Sequence, residues 1–303
     1  MTAFADPVVA DSHPHPLQTR TMSFLGIDIG GTSVKLAAIH DGKTLWTSQS
    51  AFYTRPDTEQ LIEALRTTAA GRVEAVDVAG LCVPGLMDRE KRMITLSVNV
   101  PGLMGVKLDD IIARALGSGI KRIEILNDAV STATDVIVSR NLKGRVVSIA
   151  LGTGVGMGVI DDGVPLFIEG ASPGHIGQVD VSIEGEPVIG PDGGAGSLEG
   201  YIGVPALIKK YGSTEKFLKE ATVDHAAIKA LVRAIRICHG IYRPHHVIIV
   251  GGLGTRLKHL VPEIKKAVDT NLTSVARRDW TFAAGDHDFH AALGAARLAS
   301  KTV

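Results

Sequence analysis

The chain has 303 residues, 45% hydrophobic and 21% charged, and its 32 Lys plus Arg are balanced by 32 Asp plus Glu. That length supplies core for one large domain or two medium ones, and the zero net charge offers no basic excess for nucleic acid or an anionic membrane. Two cysteines, Cys82 and Cys238, cannot build a disulfide framework or a cysteine-rich zinc site, and no apolar run is long enough to cross a bilayer.

Residues 1–22 read as a disordered tail, with three prolines, His13 and His15, and no periodicity. Asp6, Asp11 and the prolines interrupt any secretory leader, so a cytoplasmic protein is expected. From Ser23 the pattern alternates. Strands are predicted over Phe24–Ile29, Ser33–His40 and Thr44–Ser50, then a helix over Thr58–Ala70 and a buried strand over Ala75–Val83. A short strand at Met93–Val98, a helix over Lys107–Leu116 and a strand at Arg122–Leu126 follow, and Asn127-Asp128 opens a helix to about Asn141. Arg145–Leu151 is an apolar strand, followed by a glycine-rich turn and a short strand at Val159-Ile160. Phe167–Gly200 is rich in glycine and proline and reads as a long loop, of the kind that is often functional. Helices are expected over Gly203–Tyr211, Thr214–Glu220 and Asp224–Ile241, a strand at His246–Val250, a helix from about Thr255 and a last one over His290–Ala299.

The stretch Leu25-Gly-Ile-Asp28-Ile-Gly30-Gly31-Thr32-Ser33-Val-Lys35 reads as two strands joined by a tight turn. Gly30 and Gly31 allow positive φ and close approach, while Thr32, Ser33 and unpaired N–H groups point into the turn. A carboxylate beside such an anion-binding concavity suits a magnesium-bound polyphosphate, and an ordinary Gly-Gly hairpin would carry the same glycines. Half a chain later Leu151-Gly152-Thr153-Gly154-Val-Gly156-Met-Gly158 repeats the strand–glycine turn–strand plan. The repetition suggests a duplicated α/β architecture with a cleft between its halves. The spacing does not fit a dinucleotide fingerprint, and no helix follows directly.

In this order the motifs resemble the ROK family of repressors, open reading frames and sugar kinases, within the sugar kinase/Hsp70/actin superfamily. Leu25–Lys35 is similar to its first phosphate motif, Val83-Pro-Gly85 with Asn99-Val-Pro-Gly102 to its sugar-loop region, and Asn127-Asp128-Ala129 to the segment with the catalytic aspartate. Leu151–Gly156 resembles the second phosphate motif and Val250-Gly251-Gly252-Leu253-Gly254 the adenosine loop. The resemblance implies an α/β, duplicated actin-like (ribonuclease H-like) ATPase fold of two domains around a cleft. The small domain would be 23–126 plus 288–303, and the large one 127–287. It implies an ATP-dependent kinase acting on a hexose or hexose derivative, glucokinase-like, and a homodimer, with no nucleic-acid or membrane partner.

On that reading Asp128 is the general base toward a sugar hydroxyl, and Asn127 holds a neighbouring hydroxyl. Both residue types are also ordinary helix N-caps. Asp28 would hold Mg2+, directly or through water, with Gly30, Gly31, Thr32 and Lys35 at the phosphates. Gly152, Thr153 and Gly154 would face the same phosphates, and Gly251, Gly252 and Leu253 the adenosine. Gly85 and Asn99 complete the sugar contacts, with His175, Gln178 and Glu199. Two departures stand out. The family's Gly-Glu-x-Gly-His run is Gly174-His175-Ile-Gly177-Gln178, and its zinc loop is Ile189-Gly190-Pro-Asp192-Gly-Gly-Ala-Gly196-Ser197-Leu-Glu199. All three cysteines and the ligand histidine are missing together, so no structural zinc is expected. Exchanging a glutamate for His175 changes the charge of a hydrogen-bonding pocket, which alters the sugar accepted. A ROK regulator would need a DNA-binding domain that 22 residues cannot form. A polyphosphate-dependent kinase shares these loops, and a non-catalytic sugar- or nucleotide-binding protein is the remaining alternative.

Overall fold

The computed structural model describes residues 23–73, 76–97, 99–168 and 173–302, so the predicted tail lies outside the described residues. β1 (Ser23–Ile29), β2 (Val34–His40) and β3 (Lys43–Gln49) form an antiparallel meander. After α1 (Thr58–Ala69), β4 (Val76–Cys82) lies parallel to β1. A small hairpin, β5 (Leu86–Asp88) with β6 (Met93–Leu96), precedes α2 (Leu108–Leu116), and β7 (Arg122–Leu126) joins β4 in parallel. The sheet runs β3-β2-β1-β4-β7.

α3 (Asp128–Arg140) leads to the second sheet, whose β8 (Arg145–Leu151), β9 (Val155–Asp161) and β10 (Val164–Pro165) form another meander. Four helices follow: α4 (Leu198–Ile202), α5 (Val204–Tyr211), α6 (Thr214–Glu220) and α7 (Ala226–Tyr242). Then β11 (His246–Val250) returns beside β8 and runs into the one-turn α8 (Gly251–Gly254). α9 (Val261–Thr270), β12 (Thr281–Ala284) and α10 (His290–Ser300) end the described chain. The order β10-β9-β8-β11-β12, with the same parallel and antiparallel pairings, repeats the first sheet strand for strand. This is the duplicated α/β fold that the motifs imply.

The sequence reading differs in detail. β5, β10 and β12 are too short for a periodic signal, and the helix predicted from Thr255 begins as a 3-10 turn over Thr255–Leu260. β9 starts inside the glycine run. Its Val155, Met157 and Val159 are buried, while the missing side chain at Gly158 lets the Ala129 carbonyl approach to 2.6 Å from where a Cβ would stand.

Each sheet is covered on both faces, which is why its central strands read as continuous apolar runs. On the first, α1 and α2 bury Leu61, Leu65, Leu108 and Ile111 against Leu25, Ile27 and Leu36, while Ala292, Leu293 and Ala296 of α10 pack on Ala37 and Ile39. On the second, α7 and α9 place Leu231, Ile235 and Ile264 with Val147 and Ile149, and α3 sets Val130 and Ala133 against Ile160. α3 and α10 meet between the sheets. A Cβ on Gly26 of β1 would lie 1.7 Å from the Ala292 carbonyl oxygen, and one on Gly294 of α10 would lie 1.7 Å from that of Ser131, so both contacts are backbone to backbone. Asp135 of α3, 1% exposed, ties the pair by accepting from His290 Nδ1 at 2.7 Å and Arg297 Nε at 2.8 Å. Among the described residues no helix is long and apolar enough to cross a membrane.

Candidate active site

A cavity of about 1070 Å³ opens where the C-terminal ends of β1, β4, β8 and β11 converge. That is large enough for a nucleotide together with a small polar molecule. Asp28, Gly30 and Gly31 line it from the first half, Gly152, Thr153 and Gly154 from the second, with Asp128, Gly85, Asn99, His175, Glu199 and Gly251 around them.

Asp28 stands at the end of β1, opposite Lys35 in the β1–β2 register, with Lys35 Nζ 3.9 Å from its carboxylate. Burial raises its carboxyl to about 6; the Lys35 charge works against this and that of Asp128 adds to it. The turn beyond closes through Gly30 N donating to Ser33 O at 3.0 Å. Tyr53 braces it twice, its hydroxyl donating to Gly30 O at 2.7 Å and its N–H to Thr32 O at 2.9 Å. Neither Gly30 nor Gly31 adopts positive φ, contrary to the expectation. What Gly31 provides is close approach, since a Cβ there would lie 3.3 Å from both Asn99 Cβ and Thr153 Oγ1. Ser33 does not point into the turn: it is 1% exposed and accepts from Gln49 Nε2 at 3.0 Å.

The second turn closes through Gly152 N donating to Gly154 O at 3.0 Å, and Glu199 Oε2 accepts from Val155 N at 2.8 Å. Burial raises the Glu199 carboxyl, this N–H bond lowers it and the Asp192 charge raises it. Gly251 has φ +80° and lies against Leu151 O, a place only glycine fits.

Asn127 caps α3, its Oδ1 accepting from Val130 N at 3.0 Å, so the capping role is realised in its acceptor. Asp128, the first helical residue, opens to the cavity, with Oδ1 accepting from Ala129 N at 2.8 Å. The surrounding protein raises its carboxyl above the usual range, and the Ala129 N–H offsets part of that.

Six predicted residues stand elsewhere than in the cavity lining, Asn127 at the α3 cap among them. Thr32 is exposed beside the turn, Lys35 is turned to Asp28, and Gly252 accepts from Arg256 Nε at 2.7 Å. Leu253, expected at the adenosine, is 1% exposed in the core of the second half, because an apolar side chain after a strand turns inward. Gln178, expected at the sugar, donates from Nε2 to Asp192 Oδ2 at 2.6 Å. The sequence reading missed the wall beyond the second turn, made by Pro205, Ala206 and Lys209 of α5 with Ala226 and Ala227 of α7. It also missed Tyr53. Neither carries a motif, since packing of distant helices assembles them.

For a metal, Asp28 offers a half-buried carboxylate and Asp128 one that opens to the cavity, both with raised pKa values. Among the described residues, the groups of three or more metal-capable side chains come to one, Asp135 with His287 and His290, away from this cavity. A site with few carboxylates suits Mg2+, which keeps waters and takes the rest of its shell from phosphates. The Asp135 group is already satisfied: both carboxylate oxygens accept, and His290 Nε2 accepts from Asp286 N at 3.1 Å.

The ROK family model matches residues 24–302. An N-acetyl-D-glucosamine kinase of Vibrio cholerae is 27% identical over 287 residues, covering 84% of this chain and 92% of the relative. An N-acetylmannosamine kinase of the same species is 27% identical over 286 residues, covering 88% and 96%. Among solved structures, a ROK family glucokinase from Streptomyces griseus in complex with glucose and AMPPNP has a TM-score of 0.73 at 21% identity, over 92% of this chain and 99% of that one, and shares its fold. With the family pattern matched from one sheet to the other, the chain belongs to the ROK family.

Proposed function

We propose that this protein is an ATP-dependent carbohydrate kinase that transfers the γ-phosphate of ATP to a hydroxyl of a hexose or hexose derivative. The observation that carries the reading is the placing of Asp128, a carboxylate at a helix start, in one cavity with both glycine turns. The names of the relatives support the same class, and two of them act on N-acetylhexosamines.

A sugar hydroxyl attacks once a base takes its proton. Asp128 accepts it, and its raised pKa brings it closer to the pH at which it works. The turn N–H groups other than those of Gly30 and Gly152, which close the turns, hold the phosphates from opposite sides. Asp28 holds Mg2+, which when bound neutralises charge on the transferred phosphoryl group. Asn99, Glu199 and His175 receive the sugar hydroxyls, and the apolar wall of α5 and α7 takes the nucleoside. The small half is 23–126 plus 288–303 and the large half 127–287. Their closure about α3 and α10 excludes water.

The test is an ADP-release assay with magnesium-ATP across glucose, N-acetylglucosamine, N-acetylmannosamine and related sugars. Turnover with one of them is expected, and Asp128→Asn should lose about 10²–10⁴ of it while keeping its melting temperature. Equal ADP release with and without every sugar, unchanged in Asp128→Asn, points instead to a binding protein, the reading that the His175 exchange favours.

A further inference from the structure

The segment 188–197 folds back on itself beside the cavity. Gly190 N donates to Gly194 O at 2.8 Å, Gly193 N to Gly190 O at 3.0 Å and Gly196 N to Val188 O at 3.0 Å. Its base is anchored: Val181 N donates to Gly196 O at 2.8 Å, and the buried Ser197 caps α4 by accepting from Gly200 N at 3.2 Å. Gly190 lies so close over Ser197 that a Cβ would come within 2.0 Å of its Oγ. The tip is held by a side-chain contact, from Gln178 Nε2 on the Ile176–Gln178 turn to Asp192 Oδ2 at 2.6 Å. The two segments that this contact joins both reach the cavity, one through His175 and the other through Ile189, Pro191 and Asp192.

Gln178, Gly190, Asp192 and Ser197 are the positions at which the ROK pattern places a histidine and three cysteines around zinc. Here they do not fit that ion. Gly190 has no side chain, the Ser197 hydroxyl is spent on the cap, and the remaining amide and carboxylate bind each other. A structural zinc site takes four ligands, chiefly thiolates and imidazoles, and these positions offer a single carboxylate that already accepts from Gln178. We propose that the Gln178–Asp192 hydrogen bond is a metal-free staple that joins the 188–197 loop to the 175–178 turn and so sets His175 against the sugar end of the cavity. Gln178 and Asp192 are then positioning residues. The kinetic consequence rests on the kinase reading; the structural consequence does not.

The test uses the full chain, expressed in zinc-supplemented medium, as wild type, Gln178→Ala, Asp192→Ala, Asp192→Asn and the double alanine variant. Metal analysis should find zinc far below one per chain, and a chelator should leave the melting temperature unchanged. Amide hydrogen exchange across 188–197 should speed up in either alanine variant, and the double variant should be no faster than the singles. Asp192→Asn keeps an acceptor for the Gln178 amide and should restore protection. Sugar KM should rise several-fold in the alanine variants, with kcat moving less. Stoichiometric zinc whose removal loosens the loop overturns the proposal, as do additive effects of the two alanines or unchanged exchange in both. Absence of turnover in the wild type defeats the kinase reading and leaves the exchange measurement to decide the staple.

Discussion

β1 and β8 hold the same place in their sheets, and each runs into a glycine turn at the cavity. One step before the turn, the first pair across the hairpin is Asp28 and Lys35, and the second is Ala150 and Gly156. A Cβ on Gly156 would meet nothing within 4 Å. One copy therefore carries charge, and the other leaves room. The bracing differs too: Tyr53 holds the first turn by its Gly30 carbonyl, while Glu199, itself facing the cavity, holds the second by the Val155 N–H. The duplicated backbone offers two sets of turn N–H groups, and the side chains divide the remaining work. On the proposed reading a cation-binding carboxylate is needed once, because a second one would add repulsion at the phosphates.

The largest effects should come where the halves are alike. Both sheets take a helix at a glycine, Gly26 for α10 and Gly158 for α3, and Gly26→Val or Gly158→Val drives a side chain into a carbonyl oxygen. Neither variant should yield soluble folded protein, a loss above about 4 kcal/mol, whereas Gly156→Ala, with open space around it, should fold with a change within about 0.5 kcal/mol. Recovery of folded Gly26→Val would mean that α10 does not pack that closely. Next is the tie between α3 and α10. Asp135→Ala leaves His290 and Arg297, 3% and 14% exposed, without their carboxylate, and urea unfolding should show a loss of about 3–5 kcal/mol. A loss below 1 kcal/mol would show that the two helices hold by apolar packing alone. The division of charge is tested by Asp28→Asn, which should cost about 10²–10³ in turnover at unchanged melting temperature. Equal activity would mean that the charged hairpin is no more important than its uncharged copy.

The parts legible in the sequence were those in which chemistry and chain order coincide. Asp28-Ile-Gly30-Gly31 and Gly152-Thr153-Gly154 are contiguous, and strand ends place them at one edge by topology. The two sheets followed from strong apolar runs. β12, four residues long, becomes a strand only because β11 lies beside it, and no local pattern marks that. The wall of Pro205, Ala206, Ala226 and Ala227 is assembled from two helices and looks like ordinary small-residue packing when read linearly. Leu253 misled because a motif says where a backbone passes, not which way each side chain turns. Gln178 misled for the opposite reason: its amide can serve a sugar or a neighbouring loop, and only Asp192 at 2.6 Å decides between them.

The halves also differ in what acid can reach. Among the described residues of 23–126 the buried polar side chains are Ser33, Thr68 and Ser97, while the core of the second half holds His239, 1% exposed, with neither ring nitrogen hydrogen-bonded. His239 packs edge-on against Trp280, ring centroids 4.4 Å apart, and burial lowers its pKa to about 4, with the Asp269 charge opposing and that of Lys265 assisting. The native state therefore refuses a proton that the unfolded chain accepts near 6.5. Between those values the unfolded state binds more protons, so stability should fall as pH drops from about 6.5 toward 4, by up to about 1.4 kcal/mol per pH unit. His239→Phe keeps an aromatic ring against Trp280 and removes the titration, so its stability should be flatter over the same window. Hydrogen exchange on acidification should rise first around α7, α9 and β12 and later in the first sheet. An unchanged pH slope in His239→Phe would show that acid enters the second half elsewhere, and simultaneous loosening of both sheets would show that the α3–α10 joint makes them one cooperative unit despite their unequal cores.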